Sequence, residues 1–549
     1  MIELTAAQIA QITGGRAVGA AGRDAAGGTG GGSAGEHAGE VLVRHVTTDS
    51  REARPGTLFV AKPGEVTDGH EFVGAAFAAG SVLALVEREV ADAAGAVYPA
   101  VVVPDVVEAM GRLAAWVVAQ LRAQHGVKVV AVTGSVGKTT TKDLLKGIFE
   151  AEGPTVAPRG SYNGEVGVPL TVFETTPETR YLVVEMGATR IGNIDYLCRM
   201  VRPDVGVVLC VGSAHAGEFG GVANIARAKG ELVEALRADG VAVLNDDDPA
   251  VRQMHRRTAA PVVFFGESPA NVLPDVPAAR VHAADVRLGP GGSPEFDLHF
   301  PDGSVHRIVS RLIGEHHVTN LLAAASAAFV AGVAPERIAA SLNAQGAASR
   351  WRMERTERPD GVTVINDAYN ANPQSMRAAL QSLAQLGRGA DGAGPRRTWA
   401  VLGGMLELGE STVEEHDALG RMVVRLNISK LIAVGELARP VYDAAQLEGS
   451  WGNEATWAAD AEEAEEILRH ELAPGDIVLF KSSNASGLRV LGDRVAAAAG
   501  AGQDGPAPRN DAPARGDHWR SAGPFVNAGL DADGPAGTAG PAAQEDRSA

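Results

Sequence analysis

Val127-Lys128-Val129-Val130-Ala131-Val132-Thr133-Gly134-Ser135-Val136-Gly137-Lys138-Thr139-Thr140 decides how the rest of this chain is read. A β-branched apolar run ends in a glycine-spaced turn, followed by a lysine, two hydroxyl residues and a helix-like segment. That order is the layout of a phosphate-binding loop. Gly134 and Gly137 permit a tight turn in which the backbone N–H groups around Ser135 and Val136 point at a phosphate chain. The helix that opens at Lys138, Thr139 and Thr140 adds the partial positive charge of its N-terminus. Lys138 suits the β- and γ-phosphates, and the Thr139 hydroxyl suits a bound Mg²⁺. The longer form of the pattern requires glycine at 132, where this chain has Val132. A plainer reading is a strand-to-helix turn that packs without a ligand. The segment predicts a nucleoside triphosphate site.

The bulk numbers narrow the class. A chain of 549 residues has room for three to four domains of ordinary size. Its net charge of −18 argues against coating nucleic acid, which needs basic patches. Two cysteines, Cys198 and Cys210, make no disulfide framework and fit a reducing, cytoplasmic setting. Met1-Ile2-Glu3-Leu4-Thr5 lacks the basic and apolar regions of a secretory signal. The apolar stretch Leu321 to Ala334 is Ala-rich and interrupted by Ser326 and Gly332, so it predicts a buried helix and no membrane insertion.

The pattern along the chain predicts an α/β fold in three regions. In the first, about 1–122, Thr5 reads as a helix N-cap and Gly14-Gly15 as its stop. The glycine-rich tract 22–39 reads as a flexible insertion. Strand-like runs follow at Val41–Val43, Thr57–Val60 and Val82–Val86. In the central region, 123–346, Val127–Thr133, Tyr181–Glu185, Val205–Val211 and Val241–Leu244 alternate with helices, predicting a mostly parallel sheet covered on both faces. The third region, 347–500, has strands expected at Val362–Ile365, Trp399–Leu402, Leu431–Val434 and Ile477–Phe480, with a loop over Gly387–Pro395. Residues 501–549 are mostly Gly, Ala, Pro and Asp and predict a disordered tail. No internal repeat is visible.

Several polar residues stand where ligands meet parallel sheets, outside the carboxyl ends of strands. Glu185 closes one strand and is placed to ligate Mg²⁺; a plain ion pair with a basic neighbour is the open alternative. His215 follows another strand, at the same edge. Lys229 lies on an expected helix, where a solvated lysine is the default. Arg352 offers a fork of donors suited to phosphate. Asp367 ends a strand and opens Asp367-Ala368-Tyr369-Asn370-Ala371-Asn372-Pro373, a polar run that a capped helix entry explains only in part.

Taken together, these residues resemble the Mur ligase family, ATP-dependent amide-forming enzymes of peptidoglycan precursor synthesis. The shortened loop T-G-S-V-G-K-T-T is that family's form, and the likeness covers nearly all of 1–500. Within the family, the chain is most similar to the branch that joins D-alanyl-D-alanine to UDP-N-acetylmuramoyl-tripeptide. The marks are Asn163-Gly164-Glu165-Val166-Gly167-Val168-Pro169, Glu185-Met186-Gly187-Ala188, Ala226-Arg227-Ala228-Lys229-Gly230-Glu231, the Asp367–Pro373 run, and Met405-Leu406-Glu407-Leu408-Gly409 followed by His416.

The resemblance implies an N-terminal UDP-substrate-binding domain, a central ATPase-like domain and a C-terminal Rossmann-like domain. It implies ATP, Mg²⁺ held by Thr139, Glu185 and His215, with two ions expected, and a Lys229 that CO₂ carbamylates in several members. Asn320 matches a residue near the adenine, and Arg352 and Asp367 match contacts to the phosphates and ribose. Asp49-Ser50-Arg51 and Asp68-Gly69-His70 resemble the nucleotide-sugar site. Asn163, Glu165, Tyr369, Asn370 and Asn372 join the expected substrate contacts, and a monomer is expected.

Two departures stand out. Gly404 occupies a position that is usually acidic, and Asn484 stands where the family has arginine in a Lys-Gly-Ser-Arg run. A sister ligase adding the third residue is expected to carry Asp-Asn-Pro-Arg, which is absent here. A folylpolyglutamate synthase-like ligase, an ATP-hydrolysing switch and an inactive binding homologue are the other readings.

Overall fold

The computed structural model describes residues 1–19, 42–64, 67–212, 219–267, 279–289, 291–389, 394–449 and 454–498. The glycine tract 22–39, His215, residues 390–393 of the expected 387–395 loop and the tail 501–549 therefore lie outside the described residues, while Gly387 ends the helix Pro373–Gly387. The fold is α/β, and each of the three regions carries one main sheet.

The first region opens as its sequence dictates. Thr5 caps the helix Ala6–Thr13 in a reciprocal box with Gln8, and Gly14 ends it in the left-handed conformation at φ +73°. Strands His45–Thr47, Thr57–Val60, Ser81–Val86 and Ala100–Val102 pair in parallel, and Arg16–Val18 closes the sheet antiparallel. The helix Val106–His125 then leads into the central region. Its apolar side, including Met110, Leu113, Val117 and Leu121, shares one core with Ile9, Leu58, Val129 and Leu182. One helix thus binds the first sheet to the central one.

The central sheet has nine strands. Lys128–Thr133 sits between Tyr181–Glu185 and Val205–Val208, parallel to both. Helices cover both faces of this inner strand, so its side chains are apolar on both faces. The helix Lys138–Glu150 packs back through Leu144, Leu145, Ile148 and Phe149, with Phe149 stacked on Tyr181 at 4.4 Å. Each such buried side chain contributes about 1.5–3 kcal/mol. The expected buried helix is His317–Val330.

The far edge of the mostly parallel sheet is antiparallel. Pro294–His299 runs antiparallel to Ala279–Leu288 and turns into Val305–Val309. Its alternation of buried Phe296 and Leu298 with half-exposed Glu295 and Asp297 marks a strand with one face on the core. The strand expected at Val205–Val211 stops at Val208 because the next residues turn toward the phosphate loop: the Cys210 carbonyl accepts from Ser135 N–H at 3.0 Å.

The third sheet places Thr363–Asn366, Ile477–Lys481, Thr398–Leu402, Lys430–Val434 and Ala455–Ala458 in parallel, with Glu354–Glu357 antiparallel at one edge. Among the described residues, no helix is long and apolar enough to cross a membrane.

Candidate active site

The carboxyl ends of the inner strands converge on the phosphate loop. Gly137 adopts φ +84°, and a methyl group there would fall 2.2 Å from Asn320 Oδ1, so both conformation and space require glycine. At Gly134 an added Cβ would meet the Leu209 Cβ at 2.8 Å. The helix Lys138–Glu150 begins without a side-chain cap, which leaves its first N–H groups to an anion. Lys138 Nζ donates to the Gly134 carbonyl at 2.8 Å and so folds back over the loop. Burial pushes the Lys138 ammonium below its usual value, and the Glu185 charge opposes that shift.

Glu185 is fully buried, 0% exposed. Its Oε2 accepts from the Thr139 hydroxyl at 2.9 Å, and its Oε1 accepts from the Ser161 hydroxyl at 2.9 Å and from Asn163 Nδ2 at 2.8 Å. No lysine or arginine pairs with it among the described residues, so the plain ion-pair reading fails. Its hydrogen-bond donors are all neutral, and the nearest compensating charge is the Lys138 ammonium, which attracts it without a contact ion pair. With the Thr139 hydroxyl beside it, the donor set is all oxygen, which is what Mg²⁺ prefers. These residues therefore fit the ion. The Thr133 hydroxyl ties the two strands together by donating to the Met186 carbonyl at 2.8 Å.

Lys229 is no solvated lysine. It lies on the helix Val222–Glu234 and is 4% exposed. Burial pulls its amine down to about 7, with the Lys138 charge adding to the effect. Both cysteine thiols are held above their usual range by burial.

The third region reaches the same place through Arg352. Its Nη2 lies 3.4 Å from the Thr139 hydroxyl, and its guanidinium covers the Tyr369 ring at 4.6 Å. Trp351 and Met353, on either side, hold left-handed conformations at φ 58° and 51°. Such strain persists only where the surroundings enforce it. Here the Trp351 indole stacks on Tyr369, donates to Asp493 at 3.1 Å and carries the Arg350 and Arg489 guanidiniums over its rings at 4.7 and 4.5 Å. Met353 N–H donates to Asp367 Oδ1 at 3.1 Å.

Asp367 also accepts from Lys481 Nζ at 2.6 Å, and that ammonium donates further to the Asn370 carbonyl at 3.1 Å. Asn372 caps the helix Pro373–Gly387 reciprocally with Ser375. The capped-entry reading thus accounts for Asn372, while Asp367 and Asn370 hold Lys481.

Other expected contacts stand in networks of their own. Asp68 accepts from His70 N–H at 3.0 Å, from His70 Nδ1 at 2.6 Å and from Arg88 at 2.5 Å. His70 Nε2 accepts from Glu87 N–H at 2.9 Å, so the buried imidazole is used at both nitrogens. Asp49 caps the turn Ser50–Glu52 and binds Arg51 Nε at 2.8 Å. Glu165 meets Asn193 at 3.4 Å and Arg190 at 3.8 Å.

Gly404 and Asn484 face each other across neighbouring strand ends. The Gly404 carbonyl accepts from Ser483 N–H at 3.1 Å, and Leu437 fills the space of a side chain at 404, its Cβ 2.6 Å from where that Cβ would stand. Asn484 Oδ1 is buried without a partner among the described residues. Sequence reasoning missed Ser161 as a ligand of Glu185 and Lys481 as the partner of Asp367; Ser161 stands two residues from Asn163, a signal that was available.

Comparison with known proteins gives the family. Residues 42–117 match the Mur ligase family catalytic domain, 132–328 the Mur ligase middle domain, and 351–484 the Mur ligase glutamate ligase domain. UDP-N-acetylmuramoyl-tripeptide–D-alanyl-D-alanine ligase of Mycobacterium tuberculosis is 42% identical, over 90% of this chain and 98% of its own length. The Bacillus subtilis protein of the same name is 30% identical, over 82% of this chain and 93% of its own. A crystal structure of MurF from Acinetobacter baumannii superposes with a TM-score of 0.73 at 32% identity, covering 90% of this chain and 99% of that one. MurF from Thermotoga maritima in complex with ADP gives 0.67 at 27% identity, covering 82% and 96%. The chain belongs to the Mur ligase family.

Proposed function

We propose that this chain joins D-alanyl-D-alanine to UDP-N-acetylmuramoyl-tripeptide, converting ATP to ADP and phosphate. The supporting observation is the convergence of Lys138, Thr139 and Glu185 of the central sheet with Arg352 of the third region on one phosphate loop. The relatives' shared name supplies the substrates.

The chemistry proceeds by carboxylate activation. An oxygen of the tripeptide's terminal carboxylate attacks the γ-phosphorus of ATP, the bond to the β-phosphate oxygen breaks, and ADP leaves. The amine of D-alanyl-D-alanine then attacks the acyl carbon, phosphate departs, and the amine gives up a proton as the amide forms. Two anions meet in the first step. Lys138, the loop N–H groups and Arg352 offset that repulsion and hold the transferring group in line. Mg²⁺, which Thr139 and Glu185 are suited to hold, supplies further charge neutralisation when bound. The contacts of Arg352 across the two regions suit a closed site that keeps water from the acyl phosphate.

His215 completes the expected metal set and lies outside the described residues. Lys229 is the candidate for carbamylation. An amine lowered to about 7 is substantially unprotonated near neutrality, so its lone pair can attack CO₂, losing a proton to leave a carboxylate-like anion. A monomer acting in the cytoplasm, with both cysteines as free thiols, completes the reading.

The test is ADP release together with mass detection of the product. ADP release that requires UDP-N-acetylmuramoyl-tripeptide, turns over with D-alanyl-D-alanine and yields the pentapeptide nucleotide is expected. ADP release indifferent to both substrates would make the chain an ATP-hydrolysing switch instead.

A further inference from the structure

The polar run before the helix Pro373–Gly387 fixes the start of that helix. Asn372 and Ser375 cap it reciprocally, and Lys481 holds both Asp367 and the Asn370 carbonyl. Gln374, the second residue of the helix, therefore leaves from a rigid base. Its side chain crosses from the third region to the central one. A methyl group added at Gly212 would overlap Gln374 Oε1, Cδ and Nε2, so the whole amide rests on the Gly212 α-carbon. Gly212 does not adopt the left-handed conformation, so space alone requires glycine here.

Gly212 is in turn fastened to the phosphate loop. Its N–H donates to the Ser135 hydroxyl at 2.8 Å, and Ser135 N–H donates to the Cys210 carbonyl at 3.0 Å. Val211 N–H donates to Asp248 at 2.8 Å and anchors the same segment from its other side. A push on Gly212 therefore reaches Ser135, ahead of Lys138 in the loop. Arg352 reaches Thr139, just behind that lysine. The third region thus braces the phosphate loop on both sides of Lys138.

The group that makes this contact gains no hydrogen bond from it. Gln374 Oε1 is buried without a partner among the described residues. A buried acceptor without a donor gives up the hydrogen bonds that water offers it when exposed. The amide fits Gly212 in shape and resists burial in chemistry. We propose that Gln374 is a positioning residue that sets how firmly the third region docks on the phosphate loop. Its bulk on Gly212 registers the docked position, and its unpaired oxygen keeps that position easy to leave. This rests on the reading of the chain as an ATP-using ligase with Arg352 on the phosphates. A nucleotide held by Arg352 binds the docked position better, so its apparent affinity follows the docked fraction.

The experiment measures the ADP dissociation constant and off-rate, kcat/KM for ATP and the thermal midpoint on the full chain. The variants are Gln374→Met, Gln374→Ala, Gly212→Ala and the double variant Gly212→Ala with Gln374→Ala. Methionine keeps the length of glutamine without the buried acceptor, so Gln374→Met should bind ADP about tenfold more tightly and release it more slowly. Gln374→Ala removes the bulk and should bind ADP about tenfold more weakly. Gly212→Ala forces the two regions apart and should lower kcat/KM by about 10²-fold. Adding Gln374→Ala makes room for the new methyl group and should return kcat/KM to the level of Gln374→Ala alone. A merely structural glutamine would give changes of one sign at 374 and no relief at 212. ADP affinity that both Gln374 variants lower, or that neither alters, overturns the proposal, as does a double variant no better than Gly212→Ala. The two Gln374 variants decide the matter alone if Gly212→Ala does not fold. Failure of wild type to form the pentapeptide while it still binds ADP would instead count against the ligase reading, and the ADP measurements would still decide this one.

Discussion

Glu185 and Asp367 stand in equivalent places, each at the carboxyl end of a parallel strand near the junction of two regions, and their surroundings differ in kind. Glu185 is met by two hydroxyls and an amide. Asp367 is met by a buried ammonium at 2.6 Å and a backbone N–H. On the proposed reading, the first carboxylate would receive a cation that arrives with the nucleotide. The second has its charge consumed by Lys481 and serves to set the Trp351-Arg352-Met353 turn. A strand-end acid is therefore not a metal ligand by position; its partners decide.

The largest expected effects break this contrast from its two ends. Glu185→Gln and Lys138→Ala should each lower kcat by about 10²-fold or more, since each removes charge used in the transferring step. Their urea midpoints should stay near wild type. Lys481→Met should do the reverse in kind, leaving Asp367 buried and unpaired and destabilising the third region by about 3–5 kcal/mol. Urea unfolding read alongside turnover separates the two patterns. Equal loss of stability in Glu185→Gln and Lys481→Met would erase the distinction.

What was legible in the sequence follows the range of the interactions. The phosphate loop, the Thr5 and Asn372 caps and the inner parallel strands are set by neighbouring residues, and all could be read from local pattern. The Asp367–Lys481 pair joins residues 114 apart, and no local pattern records such a partner. Lys229 looked by default like a solvated residue because helical spacing does not reveal what packs over a lysine; it is buried, with Lys138 and Cys210 near enough to act on its charge. The antiparallel hairpin at the edge of the mostly parallel sheet was signalled by alternation from Pro294 to His299, a strand the sequence reading did not name.

Lys229 sharpens the comparison, because carbamylation would place a second anion, after Glu185, within reach of the Lys138 charge. Lys229→Ala should lose most activity, with partial recovery in added formate or acetate as a small carboxylate occupies the space. Stability should follow the unmodified amine. Its folded value near 7, against an ordinary 10.5, means the unfolded chain binds more protons between those limits. Stability from this group therefore rises as pH climbs from about 7 to 10.5, and its full penalty is present below 7. Urea midpoints measured in CO₂-depleted buffer, wild type against Lys229→Met, check the sign; a midpoint difference that stays flat through this range contradicts it.

The smallest effect is expected farthest from both carboxylates. Truncation after Gly500 should leave turnover and thermal midpoint unchanged, because the Gly-, Ala- and Pro-rich composition of 501–549 offers little apolar area to bury. A shift of several degrees in the thermal midpoint would show that this segment stabilises the remainder.

Metal retention tests the contrast most directly. Mn²⁺ can replace Mg²⁺ at carboxylate and hydroxyl oxygens such as those of Glu185 and Thr139, and the free ion is counted by its paramagnetic resonance signal. Wild type, Glu185→Gln and Asp367→Asn are titrated with Mn²⁺ at saturating ATP. The account predicts that wild type and Asp367→Asn hold the ion in the ternary complex and that Glu185→Gln releases it at least about tenfold more readily. Equal retention by Glu185→Gln and wild type, or a loss confined to Asp367→Asn, would contradict it.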